Sequence, residues 1–383
     1  MSITEGSPLR AAMRLRDDGD LPAAAELLRL RADPGDAQAG MVLLRYLFEL
    51  QDYATLQDVT RDRLARLDAG FASRAGAPYL ATLLRFAERC CLPLADIAPA
   101  LQATATAARA APELMLAWRA VTHRQRHRAR LAAQFEGGVS LISLGLNCLA
   151  WHLPGRWGLR RETDFTALFG PFALAGHTIP GVLAALEDDF ATYCTPETTR
   201  LVTTQRGHEL AMRRDRTAHW NHNRGAFWLR DGAAPLRQSI IDKAVLFRAA
   251  CRRPDAVFVL ATCPVEYPEE ALDFLPRLDA ALARYTGRTG NRILISNQTA
   301  RRREKGIVAV DATTRYVTCP YPAADYVWHD DLAADSREGL LFERAYMGFL
   351  LRALLQWRLL RRRADAPPDE VAPDAAAADE AAA

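Results

Sequence analysis

The sequence predicts an all-helical amino-terminal domain followed by a mostly parallel α/β domain of three layers. Three observations carry this. Residues 8–133 place apolar side chains three and four apart with almost no alternating pattern, as in Leu27, Leu28, Leu30 and in Leu43, Leu44, Leu47, Leu50. The pattern changes at Gly137-Gly138. Beyond that point short, continuously apolar runs alternate with helical stretches, the pattern of strands buried on both faces.

Taken in order, Gly19-Asp20-Leu21 opens an Ala- and Leu-rich helix. A second helix carries Leu44, Tyr46 and Leu47, and Gln51-Asp52-Tyr53 opens a third. This helix-turn-helix register resembles one unit of a tetratricopeptide repeat, whose period is about 34 residues. The helices from Pro78 to His127 do not keep the period, so a helical bundle is the alternative. Val139 to Gly145 reads as a buried strand, and a helix over Leu236 to Arg252 leads into the run Ala256 to Thr262. A helix over Glu269 to Tyr285 leads into Arg292 to Ser296, and Ile307 to Asp311 follows. Leu340 to Leu360 is an amphipathic helix, since Glu343, Arg344, Arg352, Gln356 and Arg358 interrupt it too often for a bilayer span. From Ala364 the chain is Ala, Asp, Glu and Pro with no apolar face, a composition that predicts disorder. The expected organisation is a helical domain over 1–135, an α/β domain over 136–363 and a tail over 364–383.

Composition excludes several function classes. Lys and Arg number 49 against 46 Asp and Glu, a formal charge of +3 that is too small to point to nucleic acid. The basic run from Arg119 to Arg130 reads as a solvated helix face, and no nucleic-acid partner is expected. The seven cysteines show no CxxC or Cys/His spacing suited to zinc, so neither metal nor cofactor is expected. The first twenty residues mix Glu5, Asp17, Asp18 and Asp20 with arginines, unlike a signal peptide, and a reduced, cytoplasmic setting is the expectation. The GxSxG, GxxxxGK[ST], HExxH and GxGxxG patterns are all absent.

The strongest local signal is Leu144-Gly-Leu-Asn-Cys148-Leu-Ala-Trp-His152. Here a strand ends in a glycine turn and delivers a cysteine to the start of a helix. Free N–H groups and the positive end of the helix dipole favour a thiolate there. In an open α/β sheet the carboxyl ends of strands are also where ligands gather. Asn147 is placed to cap the helix or to donate to a developing oxyanion. A buried, inert cysteine is the alternative role.

The stretches Ser143 to Cys148, Trp157-Gly-Leu-Arg-Arg-Glu-Thr163, Phe165 with Leu168-Phe169, and Leu186-Glu-Asp-Asp-Phe190 resemble a bacterial family described as papain-like cysteine peptidases. The likeness covers about residues 139–262 and centres on a strand followed by Gly-x-Asn-Cys. It implies Cys148 as nucleophile and a downstream histidine as base, which falls on His222 in Trp220-Asn-His-Asn223. Two positions depart from the family pattern. Asp164-Phe-Thr-Ala167 stands where the family has Pro-Phe-Asp-Trp, and Asn223 stands where it has Asp.

A thiol nucleophile needs a base within hydrogen-bond reach and a third group to orient that base. Residues Gly207 to Arg230, read as a loop rich in polar and aromatic side chains, offer His222 first and His219 second. His152 shares a helix face with Cys148. Asp231, Asn297 and Asp311 are the candidates for the third group, the last two at the ends of predicted strands. The expected function is a thiol hydrolase or acyl transferase acting on a peptide or other acyl substrate, with the helical domain docking a protein partner. The alternative is a catalytically silent binding module with the same two parts.

Overall fold

The computed structural model describes residues 7–33, 35–204, 207–262, 271–299 and 304–364. The tail expected to be disordered lies, apart from its first residue, outside the described residues, as does the start of the helix expected from Glu269.

Eight helices build the amino-terminal region: α1 (Pro8–Asp17), α2 (Leu21–Arg31), α3 (Ala37–Leu50), α4 (Tyr53–Ala65), α5 (Ala69–Ala75), α6 (Ala77–Arg89), α7 (Leu94–Ala110) and α8 (Pro112–Gln134). Short polar residues start the first five. The side chains of Ser7, Asp20, Asp36, Asp52 and Asp68 each accept from a backbone N–H of the first turn, satisfying donors that have no partner within the helix.

The rest of the chain is a mixed α/β region. A five-stranded sheet has the order β2 (Ser140–Ser143), β7 (Ala256–Thr262), β8 (Ile293–Asn297), β10 (Thr314–Thr318), β9 (Gly306–Ala309), parallel except for the antiparallel edge strand β9. β2, β7 and β8 are buried at every residue, as their apolar runs predict. Between β2 and β7 the chain inserts α9 (Leu149–Arg156), α10 (Asp164–Ala167), β3 (Gly176–His177), α11 (Ile179–Glu187), β4 (Thr199–Thr203), β5 (Glu209–Arg213), β6 (Ala218–Arg224) and α12 (Ala226–Cys251). The four inserted strands form a second, antiparallel sheet in the order β3-β6-β5-β4. Residues 218–224, expected in a loop, are therefore a strand, because the buried alternate positions Ala218 and Trp220 pack inward while polar residues fill the rest.

α13 (Leu275–Thr286) lies between β7 and β8 in the chain, and the described residues end with α14 (Asp331–Asp335), α15 (Arg337–Gln356) and β11 (Leu360–Arg362). The last pairs antiparallel with β1 (Phe135–Gly137), fastening the exit of α8 to the end of the described chain. Among the described residues no helix is long and apolar enough to cross a membrane.

A buried ion network joins the two regions. Arg124 of α8, 1% exposed, reaches Glu88 of α6 at 3.0 Å, Asp335 of α14 at 3.0 Å and Glu343 of α15 at 2.9 Å. Arg156 of α9 joins Glu343 at 3.0 Å, and Arg85 of α6 joins Asp335 at 2.8 Å. The expectation that the run from Arg119 to Arg130 is a solvated face is thus corrected at Arg124. An arginine can be buried when its fork of donors meets carboxylates on several sides, and here they come from three other helices.

Candidate active site: a thiol and an imidazole beside an arginine-lined cleft

β2 ends at Ser143 and the chain turns through Gly145 to deliver Cys148 to the N-cap position, immediately before α9. Gly145 has φ +85°, and a Cβ there would come within 2.9 Å of the His177 ring, so only glycine lets the turn pass. The turn is clamped on both sides. The Ala261 N–H donates to the Gly145 carbonyl at 2.8 Å, and the His177 N–H donates to the Leu146 carbonyl at 3.0 Å. Asn147 accepts the Leu149 N–H at 2.8 Å in a local turn, while the N-cap position of α9 is held by Cys148 and has no side-chain cap.

The second sheet brings the imidazole. Leu210 of β5 faces Arg224 of β6 and Met212 faces His219, so β6 bulges between them where His222 lies. A bulge re-aims the side chains it carries and is frequent beside functional sites. His222 Nε2 stands 3.4 Å from the Cys148 sulfur. Its neighbour Asn223 is buried and accepts from Gln51 of the helical region at 3.2 Å, which anchors the strand at this point.

Burial controls both members of the pair. It pushes the Cys148 thiol up to about 12, with its own backbone N–H offsetting part of the shift. It pushes His222 down to about 4, assisted by the nearby positive charge of Arg224, His329, Lys243 and Arg89. Near neutral pH the resting pair is a protonated thiol facing a neutral imidazole.

The other sequence candidates are spread out. His152, one turn beyond Cys148, sits beside Trp328 with ring centroids 5.8 Å apart. His219 packs its ring against Gly176 of β3. Asn297 lies at the carboxyl end of β8, two strands from β2, with Nδ2 donating to the Tyr316 hydroxyl at 3.0 Å and Oδ1 accepting from Thr299. Asp311 lies in the β9–β10 turn, where it accepts from Thr313 and Thr314. Because β9 runs against the other strands, that turn is at the opposite end of the sheet from Cys148. Neither Asn297 nor Asp311 orients His222, because their polar atoms serve local turns and strand ends. Asp231 sits in the kink of α12, and Asp164 is held by Arg253 at 2.6 Å and Arg161 at 2.7 Å.

Neither a scan against protein-family models nor searches of the curated proteins and the solved structures find a match.

Helices α3 and α6 supply residues that the local sequence gives no sign of. His222 forms part of the wall of a cavity of about 620 Å³ between the two regions. Arg45 and Glu49 of α3, Arg85 and Arg89 of α6, Arg224 of β6 and Asp331 of α14 share that wall. Tyr53 of α4 is buried close to Cys148, its hydroxyl without a hydrogen-bond partner. It stacks obliquely on Phe165 at 4.9 Å and meets Phe169 edge-on at 4.7 Å.

The buried His177 and four half-buried histidines have a consequence for stability. Burial holds His127 and His222 down to about 4 and His177 down to about 3, and lowers His152 and His219 as well. Each is neutral when folded and free to take a proton at its ordinary 6.5 when unfolded. Between those two values the unfolded chain binds more protons. Stability is then fully present above about pH 6.5 and is lost progressively as pH falls towards 4. A melting temperature that drops steadily between pH 7 and 4.5 is the expected result by circular dichroism, and one that stays level would contradict it.

Proposed function

We propose that this protein is a thiol hydrolase or acyl transferase with Cys148 as nucleophile and His222 as its general base. The observation that carries the reading is the 3.4 Å approach of His222 Nε2 to the Cys148 sulfur, made by two different sheets at the carboxyl end of a parallel strand. In the first half-reaction the sulfur bonds to the substrate carbonyl carbon while its proton passes to His222 Nε2. The bond to the leaving group then breaks, and that group departs with the proton. In the second half-reaction water, or another acceptor, gives its proton to His222 and attacks the thioester. The sulfur leaves and recovers its proton. The α9 N-terminus offers backbone N–H groups to the oxygen that becomes negative. A peptide or another acyl compound fits this chemistry.

The test is exposure of the chain to p-nitrophenyl acetate followed by intact-mass and peptide mapping. One acetyl group on Cys148, absent from the Cys148→Ala chain, is the expected result. Acetylation spread over other cysteines, with Cys148 untouched, sinks the assignment.

One observation favours a second reading, a catalytically silent binding module. Cys148 is only 8% exposed, and it is His222 that reaches the cavity wall. A silent module leaves Cys148 unlabelled while ligands still occupy the cavity.

A further inference from the structure

The cavity beside His222 has an unbalanced lining. Five arginines contribute to it, Arg16, Arg45, Arg85, Arg89 and Arg224, against the three carboxylates of Glu49, Glu209 and Asp331. Two of those carboxylates are already engaged. Glu49 pairs with Arg16 at 3.3 Å, and Asp331 pairs closely with Arg89. Among the described residues Arg45 and Arg224, both exposed, have no carboxylate partner. Glu209 is the one lining acid left to oppose them.

A second observation comes from below the surface. Arg85 is 9% exposed, and Asp335 holds its Nε at 2.8 Å. Its Nη1 stands 3.9 Å from Asp331, and its Nη2 is buried without a hydrogen-bond partner. A guanidinium N–H left unpaired in a protein interior costs on the order of 1–3 kcal/mol; Arg128 and Arg160 also carry such groups, but of the three residues Arg85 is the one that lines this cavity. An oxyanion seated in the cavity is the chemistry that fits, since a planar guanidinium fork matches phosphate and carboxylate oxygens. Phe48 and Phe86, lining the same cavity, give the less polar remainder of such a ligand a surface to rest on.

We infer that the cleft between α3, α6 and β6 is an anion-binding subsite that takes a phosphate- or carboxylate-bearing part of the substrate, with Arg45, Arg85 and Arg224 as its principal contacts. As a substrate subsite it rests on the thiol-enzyme reading. The substrate class narrows accordingly to acyl compounds with an anionic handle.

The experiment is calorimetric titration of the full chain carrying Cys148→Ala with inorganic pyrophosphate and, separately, with tricarballylate. Because nothing turns over, the readout is independent of catalysis. Saturable binding of at least one anion is expected, and whichever binds more tightly identifies the group as phosphate or carboxylate. The additional pair of surface substitutions Arg45→Ala and Arg224→Ala should weaken that binding at least about tenfold, the equivalent of about 1.4 kcal/mol. Neither anion binding, or equal binding by the doubly substituted chain, overturns the inference. A chain that acetylates at Cys148 yet binds neither anion refutes the subsite alone. One that binds an anion but never acetylates removes the acyl step and leaves the anion site standing.

Discussion

Replacing Arg124 with alanine should lower the free energy of unfolding by about 3–5 kcal/mol, the usual cost of removing one partner from a buried ion pair. The reason is the number of carboxylates left behind. Glu88, Asp335 and Glu343 all converge on this guanidinium, and each is at most 4% exposed. Removing it leaves three acidic groups in the interior with only Arg85 and Arg156 to share. Since domains of ordinary stability unfold at about 5–15 kcal/mol, the loss is a large fraction of the total. Urea unfolding followed by fluorescence and by circular dichroism measures it. A loss below about 1 kcal/mol would show that the carboxylates simply take up protons and that the network contributes little.

Replacing His222 with alanine should slow acylation of Cys148 by about 10²–10⁴-fold, the range typical of a positioned general base. The effect on pH dependence is as diagnostic as the effect on rate. With the thiol pushed up to about 12 and the imidazole down to about 4, neither is charged near neutrality. The intact chain then needs only neutral His222, so its rate is present above about pH 4 and level between pH 5.5 and 8.5. Without the imidazole the rate follows the small thiolate fraction and climbs about tenfold per pH unit over the same interval. Single-turnover bursts of p-nitrophenol across that range separate the two. Acylation of the variant within threefold of the parent, with the same flat profile, excludes His222 as the base.

Much of the fold can be read from local pattern. The strands β2, β7 and β8 are buried throughout and mostly apolar, and their runs stand out in the sequence. β10 does not, because Thr-Arg-Tyr-Val-Thr buries polar side chains that find partners only in the folded chain. Arg315 meets Gln356 and several carbonyls, and Tyr316 meets Asn297. The second sheet is equally quiet, since β6 reads Ala-His-Trp-Asn-His-Asn-Arg and its bulge breaks the alternation that would announce a strand.

The candidate site divides along the same line. Cys148 is visible because a strand, a glycine turn and a helix start are contiguous features, and His222 stands in a polar-aromatic segment. Asn297 and Asp311 both stand at the ends of predicted strands, but a predicted strand does not tell which way it runs in the sheet. Asp311 follows an antiparallel edge strand and so ends up at the opposite end from the thiol. Arg45, Tyr53, Arg85 and Arg89 carry no local mark at all. They sit on ordinary helices and become part of the site only when α3, α4 and α6 fold down onto the sheet.

That placement separates two jobs along the polypeptide. The proposed reacting pair comes wholly from residues after Gly137, while four of the five guanidinium groups that line the cavity belong to the stretch before α7, three of them on α3 and α6. Altering what the pocket accepts is therefore a matter of rewriting two helices that contain none of the reacting atoms. Directed diversification confined to the facing sides of α3 and α6 could retune selectivity while leaving the bond-making apparatus intact.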